Sequence, residues 1–499
     1  MKSKWIHLLF IIPFLSMSSC AEPKTSSFRI AVNQKGQFID NYNRILKFHG
    51  FNSVQKSFPW YDSQILNDTR LKLYKEWGFN LVRLGTMWSG VEPTEGQFNQ
   101  TYIRILQTIV GKLNQYGMFS FMDMHQDVMS SKYSEYDGIP LWLVNQFPEP
   151  EGNNKFPHPL DINTTYSWAT YYITYAASDG FQNLYKNPIA INHWSTFWKV
   201  IAQSFVNNTA VMGYELINEP WFGNFYENME LLLPGKAGRE NLLPVYDILV
   251  DAIRTVDNDT LIFYEPVTIG AYYPSTGNLG TGFNRVPGRL NQRDKSVLSY
   301  HYYCFLLNSL QPNSNYSPSD KIICQDFFMK NVFESAAKNI NETGGGSLLS
   351  EFGLCIPDGN PFSINTQECE AVLEKTEQYY QSFTYWDSIF FDSNGKILPN
   401  VVKMFARTYP RALQGQPIKY SFNMTSGYFQ LFYEIDLTIS APTEIFIPVT
   451  VHYVHGFVNE TFPIMPTHFD KENFIFSVMA DGKSKQHEIV TVIIRPLSL

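Results

Sequence analysis

The stretch Val211-Met212-Gly213-Tyr214-Glu215-Leu216-Ile217-Asn218-Glu219-Pro220 decides the fold. Its apolar run, Val211–Leu216, lacks strict alternation and ends in two polar residues, Asn218 and Glu219. A strand buried on both faces has that pattern, as parallel strands covered by helices do. Seven further runs of the kind flank it: Ile45–Phe51, Asn80–Leu84, Phe119–His125, Leu261–Pro266, Val297–His301, Leu348–Glu351 and Phe383–Trp386. Helix-period segments such as Tyr102–Tyr116 and Leu242–Val256 lie between them. Eight strands alternating with helices predict an α/β fold, a (β/α)8 TIM barrel, over residues 28–412. No glycine-rich phosphate loop follows the first run, which argues against a doubly wound sheet.

The polar residues sit at one end of these runs. Asn52, Arg83, Asp123 with His125, Asn218 with Glu219, Glu265, His301, Glu351 and Trp386 all fall at or just past a C-terminal end. In a barrel those ends converge on the face that carries the chemistry. Beyond Arg411 the character changes. Tyr420–Phe422, Tyr428–Ile435, Glu444–Val451, Phe474–Val478 and Glu488–Ile494 are short β-type runs with turn residues between. They predict a small all-β sandwich over residues 417–499, joined through a linker at Gln414-Gly415-Gln416-Pro417.

Composition narrows the function classes. The 499 residues are 44% hydrophobic and 17% charged, enough for a large core and unlike a disordered chain. Lys plus Arg is 38 against 46 Asp plus Glu, a net charge of −8 that argues against a nucleic-acid partner. Aromatic residues make up 16%, which suits a cleft that stacks sugar rings. Lys2 and Lys4 precede an apolar run, Trp5–Met17, and then small residues, the pattern of a secretory signal over residues 1–20. A secreted protein, or one in the lysosomal lumen, is expected. Nine Asn-x-Ser/Thr sequons, at Asn67, Asn99, Asn163, Asn207, Asn258, Asn315, Asn341, Asn423 and Asn459, point to a glycoprotein. Four cysteines remain beside Cys20: Cys304, Cys324, Cys355 and Cys369. An even set predicts two bridges. Of three pairings, the two that close short loops, Cys304–Cys324 and Cys355–Cys369, are favoured. No metal-ligand spacing occurs, so no metal site is expected.

The chemistry lies in two carboxylates. Glu219 ends the fourth run and Glu351, in Leu349-Ser350-Glu351-Phe352-Gly353, ends the seventh. Across a barrel axis they face each other. Cleaving a glycosidic bond with retention needs such a pair about 5 to 5.5 Å apart, and inversion about 6.5 to 9.5 Å. Glu219 is read as acid/base and Glu351 as nucleophile. Arg83 is expected to keep Glu351 ionised, with Tyr303 donating to the same carboxylate. Asn218 is placed to bond the sugar 2-hydroxyl. Asp123 and His125, two apart on one face, and Lys56 are candidates for further hydroxyls, and Trp386 for the floor under a pyranose ring. Each alone is also an ordinary core residue; the Glu pair carries the reading.

These residues resemble glycoside hydrolase family 5. The carriers are Asn218-Glu219-Pro220, Ser350-Glu351-Phe352-Gly353, Arg83-Leu84-Gly85 and His301-Tyr302-Tyr303. Within the family the chain is similar to endoglycoceramidases, by His49-Gly50-Phe51-Asn52-Ser53-Val54-Gln55-Lys56, Asp123-Met124-His125-Gln126-Asp127-Val128 and Tyr409-Pro410-Arg411-Ala412. The resemblance implies hydrolysis, with retention and without a cofactor, of the bond between the oligosaccharide and ceramide of glycosphingolipids. It implies Glu219 and Glu351 as the catalytic pair, with Lys56, Asp123, His125, Asn218, Tyr303 and Trp386 around the glucose. Members of this subgroup also act on galactosylceramide or steryl glucosides.

The sequence adds a lipid signal of its own. The insertion after Glu219 carries Trp221, Phe222, Phe225, Tyr226, Met229 and Leu231-Leu232-Leu233. It is expected to line a slot for ceramide or to touch a membrane or micelle surface, with Pro140–Val144 as the opposite wall. A monomer acting on glycosphingolipid is the leading expectation. A β-glucosidase or endo-β-glucanase acting on another glycolipid or a soluble glucan is the alternative. A sugar-binding protein with an inactive barrel is a third.

Overall fold

The computed structural model describes residues 28–162, 167–273 and 280–497. The signal expected at residues 1–20 and the sequon at Asn163 lie outside the described residues. Eight parallel strands close into a barrel: β1 (His49–Ser53), β2 (Leu81–Gly85), β3 (Phe119–Asp123), β4 (Val211–Glu215), β5 (Leu261–Tyr264), β6 (Ser296–Tyr302), β7 (Gly346–Phe352) and β8 (Phe383–Tyr385). Each expected run supplies one strand. In the first, only the second half does so, because Ile45–Leu46 belongs to another sheet.

The register carries the polar residues into one layer. Asn52 pairs with Arg83, Asp123 with Glu215, and His301 with Glu351. The β7 ladder shifts between Leu349 and Glu351. A bulge of this kind re-aims the side chain beyond it. Below that layer the barrel is filled by Phe48, Leu81, Phe121, Phe263, Val297 and Leu348, with Phe121 stacked on Phe263 at 4.7 Å. Gly213 of β4 leaves room for that stack, since a Cβ there would strike the Phe263 ring.

Helices cover the barrel with one apolar face each. Gln100–Gln115 starts at Asn99, whose side chain accepts the N–H groups of Thr101 and Tyr102. It buries Tyr102, Ile103, Leu106, Ile109, Val110 and Leu113, the spacing of a helical stripe. Truncating Leu106 to Ala is expected to cost about 2–5 kcal/mol. Leu243–Arg254 covers the other side in the same way.

The C-terminal unit is a sandwich, but its borders differ from those expected. One sheet has the order 31–32, 38–39, 45–46, 409–413, 443–446, 475–478, 467–470. The other runs 415–422, 429–435, 489–496, 457–462. The chain therefore enters the sandwich at Tyr409, and residues 31–46, expected in the barrel, join it as three short strands. Gln414–Pro417 is no linker. It is where the chain crosses between the sheets, strands 409–413 and 415–422 being separated by Gln414 alone, with Gly415 at φ +144. Alternate residues of Phe429–Ile435 face the core between the sheets, beside Tyr420, Ile445, Val478 and Val492. Both favoured disulfides, Cys304–Cys324 and Cys355–Cys369, are present.

Candidate active site

Glu351 is built into a nest of donors. Arg83 Nη1 donates to its Oε1 at 2.5 Å and the Tyr303 hydroxyl to its Oε2 at 2.7 Å. His301 Nδ1 lies 3.5 Å from that Oε2. Burial pushes a carboxyl up, but the charges of His301, Arg83 and His125 and the Tyr303 bond outweigh it. They hold Glu351 below the ordinary carboxylate range. It is therefore an ionised, oriented group at neutral pH.

Arg83 is the centre of the layer and fully buried. Its Nε meets Glu215 Oε2 at 2.5 Å, and its Nη2 is 3.2 Å from both Asp123 Oδ1 and Glu265 Oε1. It also donates to Asn52 Oδ1 at 3.2 Å and Asn218 Oδ1 at 2.9 Å. One guanidinium among four carboxylates cannot neutralise them all. Burial drives Glu215 and Glu265 upward, against the pull of Arg83 on both and of His301 on Glu265.

Glu219 stands opposite, just past β4. Its φ is +42, a left-handed value that strains a side-chain-bearing residue. Four bonds hold it there, one of them from the Tyr172 hydroxyl to its carbonyl at 3.5 Å. Its N–H donates to Glu265 Oε2 at 3.1 Å, its carbonyl accepts from Gln126 Nε2 at 3.0 Å, and its Oε1 meets His301 Nδ1 at 3.0 Å. One carboxylate oxygen of Glu219, one of Glu351 and one ring nitrogen of His301 all lie within 4.8 Å of one another. That approach is compatible with the close carboxylate pair that retention uses.

The other expected residues fall into two groups. Lys56, His125, Asn218, Tyr303 and Trp386 converge on the mouth. Lys56 Nζ sits 4.7 Å from the Trp386 ring centroid, and His125 lies parallel to that ring at 5.5 Å. The Asn218 Nδ2 group donates to Gln126 O at 2.9 Å. Asp123 is a correction. It is fully buried, with Oδ1 on Arg83 and Oδ2 on His125 Nδ1 at 2.8 Å. Its place in the barrel wall makes it a support for His125 rather than a sugar contact.

Asp127, two residues beyond His125, is also buried and meets Lys56 at the mouth. Its Oδ2 pairs with Lys56 Nζ at 2.5 Å and is 3.5 Å from His125 Nε2. Burial opposes its charge, but Lys56 and His125 hold it down at about 2. His125 is raised to about 9, as Asp123 and Asp127 overcome its burial. Sequence reasoning missed Asp127 because Asp123 stands at the strand end, while Asp127 reaches the mouth only after the chain has turned. Glu265 stood among the strand-end residues without a role. Tyr136 and Trp168, with ring centroids 5.2 and 4.9 Å from Lys56 Nζ, come from a loop and from the start of a short 3-10 helix, neither of which has a readable period.

The expected lipid walls also divide. Phe222 and Leu231 are buried, while Met229 and Leu233 are exposed. Pro140–Val144, expected as the opposite wall, divides in the same way, with Leu141 exposed. Leu143 and Val144 are core, and Trp142 Nε1 is spent on Glu92 O at 2.9 Å. A cavity of about 790 Å³ opens beside Trp386, lined by Leu307, Leu310, Leu354, Ile356, Ile389 and Leu398 among others.

Fold and site together are those of a barrel glycosidase with two strand-end carboxylates. The chain belongs to glycoside hydrolase family 5: the family model "Cellulase (glycosyl hydrolase family 5)" matches residues 34–392, and "Glycoside hydrolase family 5 C-terminal domain" matches 407–494. The endoglycoceramidase of Hydra vulgaris is 32% identical over 99% of this chain and 94% of its own. That of Cyanea nozakii is 33% identical over 88% of each. Among solved structures, endo-glycoceramidase II from Rhodococcus sp. superposes with a TM-score of 0.74 at 25% identity, covering 92% of this chain and 99% of that one.

Proposed function

We propose that the chain hydrolyses the bond between the oligosaccharide and the ceramide of glycosphingolipids, with retention, in two displacements. The observation that carries this reading is the approach of Glu219 and Glu351 within 4.8 Å, with Glu351 held ionised by Arg83 and Tyr303. Glu219 gives its proton to the glycosidic oxygen as Glu351 attacks the anomeric carbon, and ceramide leaves. Glu219, now a base, takes a proton from water; the water attacks the same carbon and frees Glu351. Asn218 and Tyr303 flank the reacting sugar, Trp386 forms its floor, and Lys56, His125 and Asp127 hold its outer hydroxyls. Asp123 and Glu265 act behind them. The names of the relatives from Hydra and Cyanea support the lipid substrate, as does the largely apolar cavity beside Trp386, which suits an alkyl chain.

The remaining expectations belong to the same reading. Seven sequon asparagines are exposed: Asn67, Asn207, Asn258, Asn315, Asn341, Asn423 and Asn459. With two disulfides, they support a glycosylated protein of an oxidising compartment, secreted or lysosomal. The sandwich acts as a support: Tyr409 stacks on His49 of β1 at 3.6 Å and its hydroxyl donates to Gly78 O at 2.8 Å. A chain cut after Arg411 is expected to be insoluble; a soluble, active truncation would contradict this.

The test is incubation with lactosylceramide, a ganglioside, galactosylceramide, a steryl glucoside and carboxymethyl-cellulose, with both products identified. Intact oligosaccharide plus ceramide from the first two is the expected result. Cleavage of the steryl glucoside or the cellulose alone would move the substrate, and no cleavage of any would point to a binding protein.

A further inference from the structure

We propose that the two disulfide-tied loops after β6 and β7 form a platform that docks on the surface of an electrically neutral phospholipid bilayer. The inference rests on the reading of the substrate as a glycosphingolipid, whose ceramide is held in such a surface. Ile322 is 58% exposed, Phe327 55%, Phe305 46%, Leu354 44%, Ile356 40% and Ile323 39%. Soluble monomers seldom gather large apolar side chains in this way unless something covers them.

The local structure explains why they stay out. Residues Ile322–Met329 form a π-helical turn whose inner side buries Cys324 and Met329, while Phe328 packs towards Tyr272 at 6.0 Å. With about 4.4 residues per turn of an i→i+5 helix, Ile322 and Phe327 share the outer side. Cys324 is bonded to Cys304, and Cys355, next to Leu354 and Ile356, is bonded to Cys369. Glu368 knits the two loops: one oxygen accepts the Tyr302 hydroxyl at 2.7 Å, the other the Tyr316 hydroxyl at 2.9 Å. These ties stop the loops from collapsing and burying their apolar tips.

Two observations select the occupant. Leu354 and Ile356 belong both to the platform and to the cavity beside Trp386, so the surface runs on into the candidate active site. A lipid lifted from a bilayer under the platform meets this cavity, whose wall includes Trp386 of the mouth. Charge selects the kind of lipid. Asp320 and Asp326 balance Lys321 and Lys330 on the helical segment, and the whole chain carries −8. Binding to anionic membranes uses clusters of four to eight basic residues, which this segment lacks. The platform is matched to a neutral headgroup layer and to insertion of apolar side chains.

The test uses the full chain and the triple variant Ile322→Ser, Ile323→Ser, Phe327→Ser, none of which lines the cavity. Flotation with phosphatidylcholine vesicles is measured, together with turnover of a glycosphingolipid held in those vesicles and of a short-chain, water-soluble one. The variant is expected to lose flotation and about ten-fold or more of vesicle turnover, with turnover of the soluble substrate within about two-fold of the parent. Flotation of the parent should survive about 0.5 M salt, which screens charge but not apolar insertion. Unchanged vesicle turnover and flotation in the variant would overturn the proposal. So would flotation that needs anionic lipid, or a parent dimer that the triple variant dissolves, which would make the surface a contact between copies. A parent that floats on vesicles yet cleaves neither glycosphingolipid would defeat the substrate reading and leave the platform standing.

Discussion

Two buried ionic clusters sit at opposite ends of the barrel, and they are built differently. At the mouth, Arg83 faces Asp123, Glu215, Glu265 and Glu351, an excess of acid. At the base, where barrel meets sandwich, charges are matched. Arg407 Nη2 pairs with Glu377 Oε1 at 2.7 Å and donates to Phe422 O at 2.9 Å, while Glu377 Oε2 accepts the Phe422 N–H at 3.1 Å. Lys47 Nζ donates to Thr376 O and Gln381 O at 3.0 and 2.7 Å, between the rings of Tyr380 and Tyr420. The base pairs most of its charge within itself, although Arg407 Nη1 and the Tyr420 hydroxyl are buried without a hydrogen-bond partner. The mouth crowds carboxylates together with Arg83, His301 and His125 around one spot, fixed charge that is in place before charge develops during reaction. Conservative changes at the two ends should therefore have opposite signatures.

The sharpest contrast is between Glu351→Gln and Glu377→Gln. The first should lower kcat by at least about 10³-fold with the fold intact and substrate still bound, since it removes the attacking group. A variant with unchanged turnover would break the assignment. The second should leave kcat nearly unchanged and cost about 3–5 kcal/mol of stability, read from denaturant unfolding, because Arg407 is left buried without its partner. Loss of turnover in the folded Glu377→Gln protein would mean that the two clusters are not independent.

Smaller effects refine the mouth. Tyr303→Phe removes a bond that favours the ionised form of Glu351, so the carboxyl should titrate higher. The acid limb of kcat/KM should then move to higher pH, with a loss of about ten-fold at the optimum. A limb that stays put or moves down would show that Tyr303 does not act on this carboxylate. Glu265→Gln keeps an acceptor for the Glu219 N–H but removes the charge beside His301. A fall of about ten-fold in kcat, with KM little changed, is expected.

The smallest effect belongs to the base. Burial pushes the Lys47 ammonium down to about 7 from its ordinary 10.5. Between those values the unfolded chain binds the extra proton, so stability should rise with pH across that window. Lys47→Met should flatten the rise, measurable as Tm against pH; an unchanged slope would assign it to other groups.

The sequence reveals the mouth more readily than the joint, and for a physical reason. Strands buried on both faces are short unbroken apolar runs, and the polar residues that end them stand out. All eight strands and the pair Glu219 and Glu351 are legible on that ground. Beyond a strand end the path of the chain is set by turns, which have no period. Hence the sequence points to Asp123 in place of Asp127, and passes over Trp168 and Tyr136. The joint is less visible because its strands are short or lie at edges. Ala31–Val32, Phe38–Ile39 and Ile45–Leu46 have two residues each, and Phe457–Phe462 and Thr467–Asp470 are half exposed and polar. Such strands are fixed by their partners rather than by their own pattern.

The central claim is that Glu351 attacks the sugar carbon directly, with no water between carboxylate and carbon, while Glu219 serves the leaving oxygen and then the incoming water. The most direct measurement is proton NMR of the sugar at the moment of its release from a β-linked glycosphingolipid, before mutarotation. The β anomer is expected as the first product; release of the α anomer would mean inversion and a water between Glu351 and the carbon.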